Sequence, residues 1–229
     1  MAPLKITTTG HATKTHAAER ALLRLCVKDI GLKPANVASN VQNATAKLQN
    51  ILSTLSPKSA TGAASSILKW TMGTPMSYTY MRTESLSKAS RYHAVSTTCE
   101  IEFVEFKALA SLAPQLSSLD FVQLLGVEWS LTEATKENVS REARALACRD
   151  ALTRAQDYAR GFGKEGGSVE AVEVLEGSGS AKSGEDGFRV LDVYNDGRPS
   201  YSSSGDLGLS LQPVHIEFRV GLTVKFVVE

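Results

Sequence analysis

From Val214 onward every second residue is apolar: Val214, Ile216, Phe218, Val220, Leu222, Val224, Phe226 and Val228. Between them stand His215, Glu217, Arg219, Gly221, Thr223, Lys225, Val227 and Glu229. Alternation with a period of two places one dry and one wetter face along an extended strand. The run is far longer than the usual strand of about 5–6 residues. A strand of this length crosses a whole sheet or extends past it, so the fold must supply a broad sheet with its core on one side.

Other segments supply the neighbours. Ala21, Leu23, Leu25 and Val27 alternate in a second strand, and Leu4–Thr9 reads as a shorter one with Gly10 near the following turn. Tyr92–Val104 forms a third run, in which Val95, Ile101 and Phe103 share a face with Cys99. Residues 121–131 and 169–175 are further strands, and residues 67–81 hold one or two more, broken at Gly73 and Pro75. Three segments have helical period instead. Pro34–Leu55 sets Val37, Val41, Ala44, Leu48, Ile51 and Leu55 three and four apart, with Pro34 at the start and Pro57 past the end. Phe106–Leu119 carries Leu109, Leu112 and Leu116, with Pro114 bending or shortening it. The longest helix begins between Thr132 and Ser140 and ends at Gly161 or Gly163. Its inner face reads Ala143, Ala147, Ala151, Ala155, Tyr158 and Phe162, so it packs closely. Its outer face carries Arg144, Arg149, Asp150, Arg154, Asp157 and Arg160, including the i,i+4 pair Asp150–Arg154.

The fold class is therefore α+β: an antiparallel or mixed sheet, about three helices packed on it, and a long C-terminal strand. The 229 residues are read as a single domain, large enough to bury roughly 70% of the unfolded surface without a metal or disulfide. A Gly/Ser-rich stretch at about 176–210 reads as a flexible insertion, with residues 188–194 as a short strand within it.

Composition narrows the function classes. With 25 basic and 24 acidic residues the net charge is +1, which disfavours nucleic-acid binding. The N-terminus lacks an apolar signal segment, and no apolar run approaches the roughly 20 residues of a membrane span. Cys26, Cys99 and Cys148 are odd in number and scattered, as expected of reduced, buried thiols, so the cytoplasm is the expected compartment.

The apparent chemical motifs fail on context. Gly161, Gly163 and Gly166 spell G-x-G-x-x-G but end a helix, where a dinucleotide site needs them to open one. Ser66–Lys69 spells S-x-x-K on a strand-like segment without its partner motifs. His11 and His16 fall in an expected turn and His93 and His215 on strands, none at metal-ligand spacing. Asn43-Ala44-Thr45 and Asn138-Val139-Ser140 are glycosylation sequons in form only. Glu100 and Glu102 share a strand face, usually a solvated one, and with His93 they define the alternative reading, a cleft for a small ligand or acid–base chemistry. No catalytic residue, cofactor or metal is expected.

Taken together the segments resemble the SIMPL-domain family. Ile6-Thr7-Thr8-Thr9-Gly10 is similar to its opening strand and Arg91-Tyr92-His93-Ala94-Val95-Ser96 to its central one. Ala143–Ala151 with Ala155, Ala159 and Gly163 resembles its alanine-striped helix, and Leu211-Gln212-Pro213 with the last strand its ending. The sequence departs from the pattern at Ala17-Ala18-Glu19, where Pro-Asp is common, and at Val214, where glycine is usual. The resemblance implies self-assembly, in some members into rings. It also implies roles in envelope stress tolerance (bacterial members) or as a kinase-associated adaptor in inflammatory signalling (an animal member), and it brings no catalytic residues. The expected function is a non-enzymatic, self-assembling interaction or adaptor protein, a homo-oligomer with a possible protein partner and no nucleic acid or membrane.

Overall fold

The structure, a computed structural model, describes residues 3–55, 66–85, 88–164, 166–176, 180–183 and 211–229. The expected α+β class holds, and every strand pair among the described residues is antiparallel. Contacts gather the described residues into two compact units, one drawn from residues 3–18, 131–183 and 214–229, the other from residues 19–130 and 211–213.

The first unit is built around the long last strand. Strands β1 (Leu4–Ala17) and β9 (His215–Val228) pair along their whole length, from Leu4 opposite Val228 to Ala17 opposite His215. On the other side of β9 lie β7 (Val169–Glu176) and β8 (Ser180–Ser183) in succession, the first opposite residues 222–228 and the second opposite 216–219. Two short strands thus fill one flank while a single long one fills the other, which accounts for the length of β9. Its even-numbered residues from Ile216 to Val228 are all buried, as the alternation requires.

Helix α3 (Glu133–Gly161) covers that dry face with Ala143, Ala147, Ala151, Ala155 and Ala159. Its ends are satisfied locally. Thr132 Oγ1 accepts from the N–H of Thr135 at 3.3 Å, and Glu133 sits in the first turn, beside the positive end of the helix dipole. At the other end the Gly163 N–H reaches the Arg160 carbonyl and the Lys164 N–H the Ala159 carbonyl, each at 3.0 Å. Gly163 takes φ +75°, so the first of the three spaced glycines is the last helical residue and the second closes the helix, as their context predicts.

The sequence misjudges β1 and one end of α3. Gly10 is not in a turn but at the middle of a 14-residue strand, so His11 and His16 are strand residues too. Glycine is required at position 10 because α3 lies directly on it: an added Cβ would overlap the Ala147 carbonyl oxygen and stand 2.9 Å from Ala151 Cβ. On α3 the buried stripe continues through Ala159, whereas Tyr158 and Phe162 are exposed. The sheet-facing stripe keeps its step of four through Ala159, and Tyr158 and Phe162, which fall three residues after Ala155 and Ala159, lie off it.

The second unit is another antiparallel sheet with helices on one face. Strand β2 (Arg20–Gly31) is flanked by β5 (Lys88–Phe103) and β6 (Val122–Ser130). Strands β3 (Ile67–Met72) and β4 (Met76–Ser85) both pair with β5, end to end, separated by the expected break at Gly73 and Pro75. Helices α1 (Pro34–Leu55) and α2 (Phe106–Ser117) bury Val37, Val41, Leu48 and Leu52, and Leu109, Leu112 and Leu116. These meet Leu23, Leu25, Val27, Ile101 and Phe103 of the sheet, all fully buried. The buried α1 stripe passes through Leu52, with Ile51 half-buried beside it and Leu55 exposed as the last residue of the helix.

Of the insertion expected at about 176–210, Glu176 closes β7 and residues 180–183 form β8; the rest, with the strand expected at 188–194, lies outside the described residues.

Candidate interaction surfaces

The suggested cleft of Glu100, Glu102 and His93 does not form. Glu100 and His93 lie seven positions apart on β5, about 23 Å along an extended strand at roughly 3.3 Å per residue. Glu100 instead meets Arg24 at 3.0 Å, and the same guanidinium meets Glu128 of β6, also at 3.0 Å. Glu102 lies 3.2 Å from Lys69 of β3 and 3.9 Å from Arg20 of β2. His93 Nδ1 stands 3.4 Å from the Thr79 hydroxyl across the β4–β5 pair. The carboxylates therefore belong to a charge ladder across β6, β2, β5 and β3, which matches opposite charges on neighbouring strands.

The remaining candidates follow the same course. Ser66 donates its hydroxyl to Glu105 at 2.7 Å and Lys69 is held by Glu102, so the two ends of S-x-x-K serve separate pairs on an extended segment. His215 is exposed at the start of β9. Asn43 lies on α1 and Asn138 on α3. The described residues bring together no group of three or more His, Cys, Asp or Glu that could hold a metal ion.

The cysteines divide by environment, and here one expectation is overturned. Cys99 is buried on the core face of β5, where burial, and then the neighbouring Glu100 carboxylate, push its thiol up to about 12. Cys26 is half-buried on β2 and is also raised by burial, against the opposing pull of Lys28. Cys148 is exposed, because it follows the buried Ala147 and turns about 100° round α3 to the solvent side.

What the fold leaves open is the two sheets' edges. In the first unit α3 lies along β1. The Thr8 hydroxyl donates to the Ala151 carbonyl at 3.0 Å, the His11 N–H to Asp150 Oδ2 at 2.9 Å, and Lys14 pairs with Glu142 at 3.2 Å. Asp150 also pairs with Arg154 as expected, at 3.1 Å. Its carboxyl is held below the usual range, first by the His11 N–H and then by Arg154. Covering an edge with a helix is one of the standard protections against unwanted strand pairing.

Among the described residues the opposite edge has no such cover. Strand β7 pairs with β9 alone among the described residues and exposes Val172, Val174 and Leu175, each more than half accessible. Val174 lies opposite Val224 and Leu175 opposite Thr223, so apolar side chains stand on both faces of this edge. Two of its three glutamates are paired, Glu173 with Lys225 at 2.7 Å and Glu176 3.7 Å from Arg144, while Glu170 accepts from the Ser168 hydroxyl at 3.4 Å.

In the second unit β4 is one edge of the sheet among the described residues and is exposed. Tyr78 stacks on Tyr80 and Tyr80 on Tyr92 of β5, with ring centroids 6.1 and 6.0 Å apart, and the Arg82 guanidinium lies 5.9 Å from the Tyr92 centroid. Met76 and Met81 on the same strand are among the most exposed apolar residues. Sequence reading passed over this ribbon because tyrosines at alternating positions look like ordinary strand residues until burial is known.

Two antiparallel sheets with helices on them, bearing no converging catalytic group among the described residues, define an α+β protein whose open features are edges. The family model of SIMPL, described as a protein of unknown function (DUF541), matches residues 6–226. The chain belongs to the SIMPL family. No curated protein matches it. No helix among the described residues is long and apolar enough to cross a membrane.

Proposed function

We propose that this SIMPL-domain protein is a non-enzymatic interaction protein that assembles with copies of itself and serves as an adaptor in the cytoplasm, in stress or signalling by resemblance to its family. The observation that carries this reading is β7. Among the described residues it is an edge strand that pairs with β9 alone and carries three exposed large apolar side chains, on a sheet whose other edge is guarded by α3. Exposed apolar edges of this kind template pairing with another chain. Sedimentation of the full chain over a range of concentrations tests it. A defined oligomer is expected, and a strict monomer at the highest concentration would remove the self-assembly.

A further inference from the structure

A second edge carries a different chemistry. The ribbon formed by β4 and the first half of β5 presents Met76, Tyr78, Tyr80 and Arg82 on one face of β4, with Tyr92 directly opposite Tyr80. Arg91 stands opposite Met81 on the other face. Tyrosine, methionine and arginine are the residues enriched where proteins bind one another, and tyrosine and arginine dominate the binding energy at such surfaces. Stacked tyrosines also lose little freedom on contact, because neighbouring rings already hold them. Strand β4 pairs only with β5 among the described residues, so its outer edge offers backbone groups to a further strand.

The charge of the ribbon selects the occupant. Within residues 76–96 the ionised side chains are Arg82, Lys88 and Arg91 against the single acid Glu84. Apart from Glu84, whose charge is already counted in this balance, no carboxylate of the described residues lies within ion-pairing distance of Arg82 or Arg91. A second copy would bring the same positive excess, so self-pairing here sets like charges together. An acidic extended segment supplies both the opposite charge and the strand. Stacked bases fit less well, since the tyrosine rings face one another about 6 Å apart rather than lying open to a base.

From this geometry we infer that β4 is the docking edge for an extended acidic segment of a partner protein, added antiparallel or parallel as a further strand, with alternate side chains on the tyrosine row and carboxylates on Arg82 and Arg91. This rests on the interaction reading and names the partner's chemistry. It is independent of self-assembly through β7.

The test uses the full chain and a fluorescent peptide of about ten residues, the length of β4, alternating valine and glutamate with one terminal valine replaced by glutamate, so that carboxylates reach both faces of the added strand. Fluorescence anisotropy should show binding that is lost with a lysine–valine peptide. Arg82→Glu combined with Arg91→Glu should weaken it at least about tenfold, and Tyr80→Ser by a similar factor, with circular dichroism unchanged. Amide exchange at Met76–Ser85 should slow when the peptide is present, which a purely ionic contact would not produce. Equal binding of both peptides, no binding of either, no effect of the variants, or preferential binding of an oligothymidylate would overturn the inference. Sedimentation of the same variants separates the two proposals, because an oligomer persisting without peptide binding removes only this one.

Discussion

Replacing Gly10 by alanine probes the closest contact in the first unit. The new Cβ would overlap the Ala147 carbonyl oxygen and lie 2.9 Å from both the Cβ and the N of Ala151, so the obstacle is helix backbone rather than a flexible side-chain tip. Overpacking a well-filled interior costs about 1–3 kcal/mol, and a clash with backbone that cannot rotate away belongs at or above the top of that range. Relief requires α3 to lift from β1, which also lengthens the Thr8 bond to the Ala151 carbonyl and the His11 bond to Asp150. We expect Gly10→Ala to lose about 3 kcal/mol. With a urea slope of about 2–3 kcal/mol/M, the midpoint should fall by roughly 1–1.5 M. Urea unfolding followed by circular dichroism measures this, with Gly161→Ala as the control, because a Cβ at Gly161 meets nothing within 4 Å. That control should stay within about 0.5 kcal/mol of the parent or gain slightly. A Gly10→Ala midpoint equal to the parent's would show that α3 does not lie on β1 as described.

Two further outcomes follow from the ionisable groups. Because the carboxyl of Asp150 is lowered in the folded chain, its contribution is fully present above its unfolded value of about 3.9 and is lost as pH falls through the lower folded value. Asp150→Asn should therefore flatten the acid side of the stability profile below about pH 4 and leave the slope near neutrality unchanged, as read from urea midpoints; an identical acid limb would contradict the His11–Asp150 contact. A thiol reagent should label exposed Cys148 first, half-buried Cys26 more slowly, and Cys99 only on unfolding, since its thiol is both buried and pushed up to about 12. Mass spectrometry of partially labelled protein gives the order, and early labelling of Cys99 would refute its placement.

Much of the fold was legible because period and burial agree. The seven alternating apolar residues of the last strand from Ile216 to Val228, the four of β2 and the alanine stripe of α3 each bury as their spacing requires. The misreadings at Gly10 and at the Glu100–Glu102 pair share one cause, contacts made at a distance along the chain. Gly10 reads locally as a turn residue, yet it is glycine because Ala147, far along the chain, lies on it. Glu100 and Glu102 read as a possible dyad, yet Arg24, Arg20 and Lys69 arrive from other strands to pair with them. The interaction edges were the least legible. Val172, Val174 and Leu175 form an apolar run like any buried strand, and only the sheet order, with β7 outermost and α3 lying over β1, leaves them exposed.

Self-assembly through β7 is tested most directly by light scattering on the full chain and on Val174→Lys. The parent should give the molar mass of a defined oligomer, and the variant, with a charge on the exposed apolar edge and its core untouched, should fall toward the 24.5 kDa of one chain. A parent that stays at the mass of one chain, or a variant that assembles as the parent does, would contradict it.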